Sequence, residues 1–308
     1  MPVTTKLLPS ADARMAVDAL NSVLAAELGD APLADRIAAG PDAGLWSTLS
    51  DGGWHLIGAD SRSGGADFDL LDLTAVAELC GRWLICLPLM ETILVNRWLA
   101  GRSAGAVAAG TYCLPADRSG RCLAPYGSWP GIVVVRADRG VAGDAASRPD
   151  EPGGATGTED RFAPSLPMLT LPARETGWTD EAAADATALA AASAVGAAAA
   201  AMSKALAYAK QRVQFGKPIG QQQAIAHRLA DMYTDLALAR SAVCWATNDA
   251  DGRVRGSAAA ARLAQTVVDG AIQVHGGIGF TWEAGIHFYL RHVTVCQTII
   301  RGCAALLK

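Results

Sequence analysis

Apolar residues recur at helical spacing over most of this chain, and the pattern changes character twice. In "ADARMAVDALNSVLAAELG" Met15, Leu20, Leu24 and Leu28 fall near one face of a helix. "LWSTLSDGGW" (Leu45–Trp54) reads as a short helix ending at a glycine pair. "FDLLDLTAVAELCGRW" and "LPLMETILVNRWLAG" read as two longer helices, the second opening after Pro88 and closing at Gly101. Past residue 110 the pattern shortens. "TYCLPA", "GIVVVRAD" and "LPMLTLPAR" predict short strands. Among them "GVAGDAASRPDEPGGATGTEDR" (140–161), rich in Gly, Pro, Ser and acids, predicts a flexible loop. Helical spacing then returns in Ala182–Lys210, in Gln221–Asp249 (Ile225, Leu229, Met232, Leu236, Val243) and in Ser257–His275 (Leu263, Val267, Val274). A last helix runs from Glu283 or Ile286 to Leu307. Four long helices joined by short turns predict a bundle. The predicted fold is mainly α: a helical segment over 1–110, a reduced β-domain with a flexible loop over 111–178, and a four-helix bundle over 179–308.

Composition narrows the function classes. The 308 residues are 51% apolar and only 18% charged, with a net charge of −4 and no long basic run, which argues against nucleic acid as a partner. A charge-poor surface fits a chain that buries much of itself against another subunit. Ala186–Ser203 carries no charge and reaches the length of a membrane span. It is mostly alanine, interrupted by Ser193 and Gly196, so it reads as a buried bundle helix and no membrane span is expected. The seven cysteines are scattered singly with no CxxC pair, and the N-terminus has no apolar h-region. Both features predict a cytoplasmic protein with reduced thiols and no metal site.

The chemistry concentrates in two turns between bundle helices. In "QRVQFGKPIGQQQ" Arg212 offers a fork of donors suited to phosphate, Phe215 a flat face for a planar ring, and Gln223 an amide for a base edge or ribose. Together they suit an adenine dinucleotide. On the residues alone, a helix-capping arginine and a core phenylalanine account for the same stretch. In "QVHGGIGFTWE" Gln273 precedes Gly276, Gly277 and Gly279, and paired glycines let backbone N–H groups approach an anion. Many helices also simply end in glycine.

Together the two turns resemble the C-terminal domain of the acyl-CoA dehydrogenase family. That family carries Arg, two residues, Phe-Gly, then Gln eight residues after the Phe, matched by Arg212, Phe215, Gly216 and Gln223. It also carries Gln-x-x-Gly-Gly-x-Gly-aromatic, matched by Gln273, Gly276, Gly277, Gly279 and Phe280. "LWSTLSDGGWHLIG" and the helix after it resemble the family's opening helices. The resemblance implies FAD as cofactor, an acyl-CoA substrate and α,β-dehydrogenation by a carboxylate base, with the FAD held by Arg212, Phe215, Gln223, Gln273, Gly276 and Gly277.

This chain departs from the family where the ring of the flavin and the base would be. The flavin-cradling Thr-Glu-Pro…Gly-Ser-Asp segment is missing from 111–174. Arg301-Gly302 stands where a catalytic Glu-Gly is expected, and an arginine cannot serve as a base. Ala186 occupies the alternative base position on the first bundle helix, beside Asp185. Glu283 is the remaining candidate, read as a helix-start carboxylate rather than the base; His275 reads as a turn histidine, and Glu78 as packed or solvent-facing. In the family, one chain of a dimer holds the flavin ring and its neighbour's two turns hold the adenosine and pyrophosphate. Retention of the second half alone resembles the short subunits of heteromeric α2β2 acyl-CoA dehydrogenases of actinobacterial steroid catabolism. It implies a full-length partner subunit in a heterotetramer acting on a bulky, steroid-derived thioester. The alternatives are a structural or regulatory subunit without FAD, and a self-sufficient homo-oligomer using Glu283.

Overall fold

The computed structural model describes residues 6–29, 31–99, 106–114, 121–130, 132–135, 146–147, 158–160, 162–172, 180–249 and 252–305. Five α-helices come first: α1 (Ala11–Leu28), α2 (Leu33–Ala39), α3 (Ala43–Asp51), α4 (Leu70–Trp83) and α5 (Leu89–Leu99). Side-chain caps start three of them. Ser10 Oγ accepts from Ala13 N at 3.0 Å, Asp42 Oδ1 from Gly44 N and Leu45 N, and Asp69 Oδ1 from Asp72 N at 2.9 Å. Leu20 and Leu24 are buried as their spacing predicts, but Met15 lies on the solvent side of α1 at 63% exposure. Its position is offset by more than a quarter turn from the line of the two leucines.

Two small sheets follow. β1 (Gly110–Tyr112), β3 (Val133–Val135) and β4 (Ala146–Ser147) form one, in the order β1-β3-β4. β2 (Arg121–Pro125), β6 (Met168–Pro172) and β5 (Thr158–Asp160) form the other, in the order β2-β6-β5. β2, β4 and β5 carry too little apolar alternation to be read as strands from the chain. Their pairing with β6 and β3 supplies what their own residues lack. Apart from β4 and the Thr158–Asp160 strand, the predicted loop 140–161 lies outside the described residues.

The bundle consists of α6 (Asp180–Gln211), α7 (Gln223–Asn248), α8 (Gly252–His275) and α9 (Ile286–Ala304). α6 is long and apolar enough to cross a membrane, yet most of its apolar length is buried inside the protein. It packs against α4, α7, α8 and α9. Alanine and glycine let it approach closely. A Cβ on Gly196 would fall 1.8 Å from the Glu78 carbonyl oxygen, and one on Gly81 of α4 would fall 1.9 Å from that of Ser193. The Gly196 that interrupts the alanine run is therefore a crossing point of two helices. The predicted C-terminal helix extends to Leu307, whereas α9 ends at Ala304 and 306–308 lie outside the described residues.

Candidate functional site

The turn between α6 and α7 is a miniature hairpin. β7 (Val213–Gln214) pairs antiparallel with β8 (Lys217–Pro218), Val213 opposite Pro218 and Gln214 opposite Lys217. The bend is therefore Phe215–Gly216. Both central residues have positive φ, 54° and 79°, the requirement of a tight type I′ hairpin. Glycine takes that conformation freely, whereas for a bulky phenylalanine it is strained. Phe215 is also 93% exposed, so it is no core residue. Arg212 leads into the hairpin: its N–H donates to Tyr208 O and its carbonyl accepts from Ile219 N, both at 2.8 Å. Its guanidinium is exposed and makes no hydrogen bond to the end of α6 among the described residues. Gln223, the first residue of α7, is exposed as well.

The second turn lies beside the first. His275, the last residue of α8, stacks on Tyr208 of α6 with ring centroids 4.7 Å apart and 22° between planes. Its Nδ1 lies 2.7 Å from Ala271 O, the backbone bond expected of a turn histidine. Beyond it Gly276–Phe280 forms a short 3-10 turn, with Gly276 at φ 65°. A Cβ on Gly276 or Gly277 would meet nothing within 4 Å, so the backbone there is open to a ligand. Gln273 and Gly277 are exposed, as are the apolar side chains of Ile278, Phe280 and Trp282. The structure thus gathers Arg212, Phe215, Gln223, Gln273, Gly276 and Gly277 at one end of the bundle, all but half-exposed Gly276 fully open to solvent. A guanidinium, an aromatic face, two amides and open backbone fit the phosphates and base of a dinucleotide. They offer nothing to enclose a three-ring flavin.

The candidate bases lie elsewhere. Glu283 is exposed, one residue past Trp282, with no hydrogen-bond partner among the described residues. Arg301 is exposed near Thr298 Oγ1 at 3.3 Å. Asp185 is buried and committed to Arg97, whose Nε donates to Oδ2 at 3.0 Å. Glu78 pairs with Arg240 at 2.7 Å. Ala186 lines a cavity of ≈ 40 Å³ between α4, α5, α6, α9 and the sheets, walled also by Cys80, Glu91, Tyr112, Ser193 and His292. That volume holds a few waters, whereas ligand pockets typically run to hundreds of Å³.

The chain pattern did not single out Glu91, although a lone carboxylate inside "LPLMETILV" is the signal that could have. Burial pushes its carboxyl up to about 7, against the opposing pull of its own backbone N–H. His292, across the cavity, is bonded on both nitrogens, Nδ1 to Ser165 Oγ at 3.0 Å and Nε2 to Ser193 Oγ at 2.8 Å. Burial pushes its pKa down to about 4.

Residues 179–307 match the family model described as acyl-CoA dehydrogenase, C-terminal domain. Along almost its whole length the chain is similar to the acyl-CoA dehydrogenase IpdE2 of Mycobacterium tuberculosis, with 31% identity over 306 residues and 92% of each chain covered. It is 33% identical over 267 residues to the IpdE2 of Mycolicibacterium smegmatis, covering 82% of each. The fold is that of a chain in the ChsE4–ChsE5 complex of Mycobacterium tuberculosis, with TM-score 0.76, 22% identity and 98% and 96% of the two chains covered. It is equally that of butyryl-CoA dehydrogenase from Megasphaera elsdenii, with TM-score 0.76, 18% identity and 97% and 99% covered. With a near-full-length relative at this identity, and with FAD as the family's cofactor, the chain belongs to the acyl-CoA dehydrogenase family.

Proposed function

We propose that this chain is a subunit of an FAD-dependent acyl-CoA dehydrogenase that carries out α,β-dehydrogenation of a bulky, steroid-derived acyl-CoA thioester, with FAD shared with a full-length partner in a heterotetramer. In this reading 1–110 is the helical domain, 111–178 the reduced β-domain and 179–308 the bundle that binds FAD and assembles. The carrying observation is that the ligand-type residues all face outward at one bundle end, with Phe215 at 93% exposure in a strained turn. A large aromatic held that way gains only when something covers it.

When bound, FAD supplies the two-electron acceptor of the dehydrogenation. Arg212 and the Gly276–Gly277 backbone hold its pyrophosphate, and Phe215, Gln223 and Gln273 orient its adenosine. The isoalloxazine ring, the thioester and the base belong to the partner. Two findings support that division: the ≈ 40 Å³ cavity beside Ala186 has no room for an acyl thioester, and the base positions hold Ala186 and Arg301. The steroid assignment rests on likeness to IpdE2 and to the ChsE4–ChsE5 complex.

The test is co-expression with a full-length acyl-CoA dehydrogenase encoded nearby, followed by the absorption spectrum of the purified complex. Flavin in the complex and none on the chain alone is expected. Stoichiometric flavin on the single chain would instead show a self-sufficient enzyme, and a colourless complex a structural subunit.

A further inference from the structure

The outer side of α9 is basic and is flanked by exposed aromatic side chains. Arg291, Thr294, Thr298 and Arg301 stand at i, i+3, i+7 and i+10 and share one face of the helix. Ile286–Ala304 includes no Asp or Glu. On α8, by contrast, the exposed positions Arg262 and Asp269 are of mixed sign. Arg291 is half-buried, with its Cζ 5.8 Å from the centre of the Phe162 ring and 5.9 Å from that of Phe288. Trp282 stands edge-on to Phe288, with 4.8 Å between ring centres and 86° between planes. The His287 ring centre is 4.1 Å from that of Phe288, and its buried Nδ1 has no hydrogen-bond partner. Burial, and then the charge of Arg291, hold His287 below the ordinary histidine range, so it adds no cation at pH 7. Three parts of the chain thus meet in one cluster: the segment before β6, the stretch after the Gly276–Phe280 turn, and α9.

Among the described residues, Arg291 has neither an ion pair nor a hydrogen bond. Glu283, the acid closest to it in sequence, is exposed and unpaired with it. Aromatic faces take the flat of a guanidinium and leave its N–H edge, which suits a carboxylate. Phe162 and Trp282 are 50% and 46% exposed, and Phe280 and Ile278, two and four residues before Trp282, are exposed too. Single exposed apolar residues are ordinary. Aromatic rings gathered around an arginine with an unused fork have instead the composition of an interface hot spot. A partner that covers this face brings carboxylates to Arg291 and Arg301, which the helical rise sets about 15 Å apart, and an apolar side chain to Phe162 and Trp282. Trp282 follows directly on the Gly276–Phe280 turn, which the shared-FAD reading sets against the partner subunit, so the same neighbour reaches both.

We propose that the Arg291–Arg301 stripe of α9, with Phe162 and Trp282 beside it, is the docking surface for an acidic segment of the full-length partner subunit. This rests on the heteromeric reading above but not on where FAD sits, because none of these residues is among those assigned to the dinucleotide.

The experiment measures assembly and flavin separately on the co-expressed complex. Subunit dissociation constants come from sedimentation of the purified complex over a dilution series at low and at high salt. Arg291→Glu and Arg301→Glu are expected to weaken assembly by about tenfold or more and to flatten its salt dependence. Arg291→Lys, which keeps the charge and removes the fork, loses less than Arg291→Glu. Phe162→Ala, on an exposed side chain, also weakens assembly, whereas Arg262→Glu on α8 leaves the constant unchanged. Flavin per complex, read at concentrations that saturate assembly, stays at the native level in every variant, and the isolated variants melt with the native chain. Unchanged constants in both Arg→Glu variants would overturn the surface while the shared-cofactor reading stands. A native complex without flavin would sink that reading, and the same constants would still decide the surface. Self-association of the native chain that Arg291→Glu abolishes would give this face to a second copy and overturn the partner assignment. So would a native chain that forms no complex with the full-length subunit.

Discussion

Tyr208 and His275 stack face to face, 4.7 Å between centroids, and so tie the end of α6 to the end of α8. The Arg212 hairpin begins four residues past Tyr208, and the Gly276–Gly277 turn begins one residue past His275. The stack therefore sets the spacing of the two halves of the proposed dinucleotide site. Tyr208→Ala should lower stability by about 0.5–1.5 kcal/mol through the lost ring pair. It should also weaken FAD retention by the complex more than a surface control does. Urea denaturation alongside a flavin-release assay checks both. Loss of stability with unchanged FAD retention would make the stack a purely structural tie.

Arg212→Ala should cost about 1.5–3 kcal/mol of FAD binding, on the order of tenfold to a hundredfold in affinity, because a charge-assisted phosphate contact is removed. Assembly should survive, since the side chain is exposed and bonds nothing among the described residues. Flavin dissociation constants measured on intact complexes decide this, and an unchanged constant would remove Arg212 from the site.

Gly196→Ala should be far more damaging than its size suggests. The new methyl would fall 1.8 Å from the Glu78 carbonyl oxygen, a backbone atom that cannot rotate away. Forced separation of α4 from α6 should cost roughly 3 kcal/mol or more. A thermal melt of this variant beside Gly277→Ala, where a methyl meets open space, gives the comparison. Equal melting temperatures would show that the helices part freely.

The cavity carboxyl gives the chain a pH signature. Glu91 rises from 4.5 to about 7 on folding, so its favourable contribution is complete below pH 4.5 and is lost as pH rises through 7. His292 falls from 6.5 to about 4, so its contribution is present above pH 6.5 and is lost as pH falls through 4. Between 4.5 and 6.5 the two slopes oppose and largely cancel. Glu91→Gln removes one of them. Relative to the native chain, the variant should gain about 3 kcal/mol between pH 4.5 and 7.5, an order-of-magnitude figure from the size of the Glu91 shift. Denaturation midpoints at both pH values test this, and a pH-independent difference would place Glu91 in contact with solvent.

Glu283→Gln should leave appreciable turnover in the complex, whereas neutralising the partner's carboxylate should abolish it. Removal of a positioned base costs about a hundredfold to ten-thousandfold, so the outcomes are well separated. Single-turnover flavin reduction, with FAD occupancy checked, reads them. A thousandfold loss in a flavin-loaded Glu283→Gln complex would locate the base in this chain.

The sequence by itself determined the helices and where ligand-type side chains stand along the chain. Leu20, Leu24, Met232 and Leu236 repeat at the period of a buried face and are buried, because a helix has few ways to hide such a stripe. Arg212, Phe215, Gln223 and the Gly276–Gly277 pair stand out as candidates because donor type and spacing are properties of the chain. Only the tertiary structure decided the rest. Short strands such as β5 exist through their partners, and the alanine of Ala186 became a cavity wall only when α5 and α9 closed over it. Glu91, one carboxylate in an apolar run, acquired its raised pKa from burial. Burial and electrostatic range are distances in space, and no periodicity along a chain encodes them.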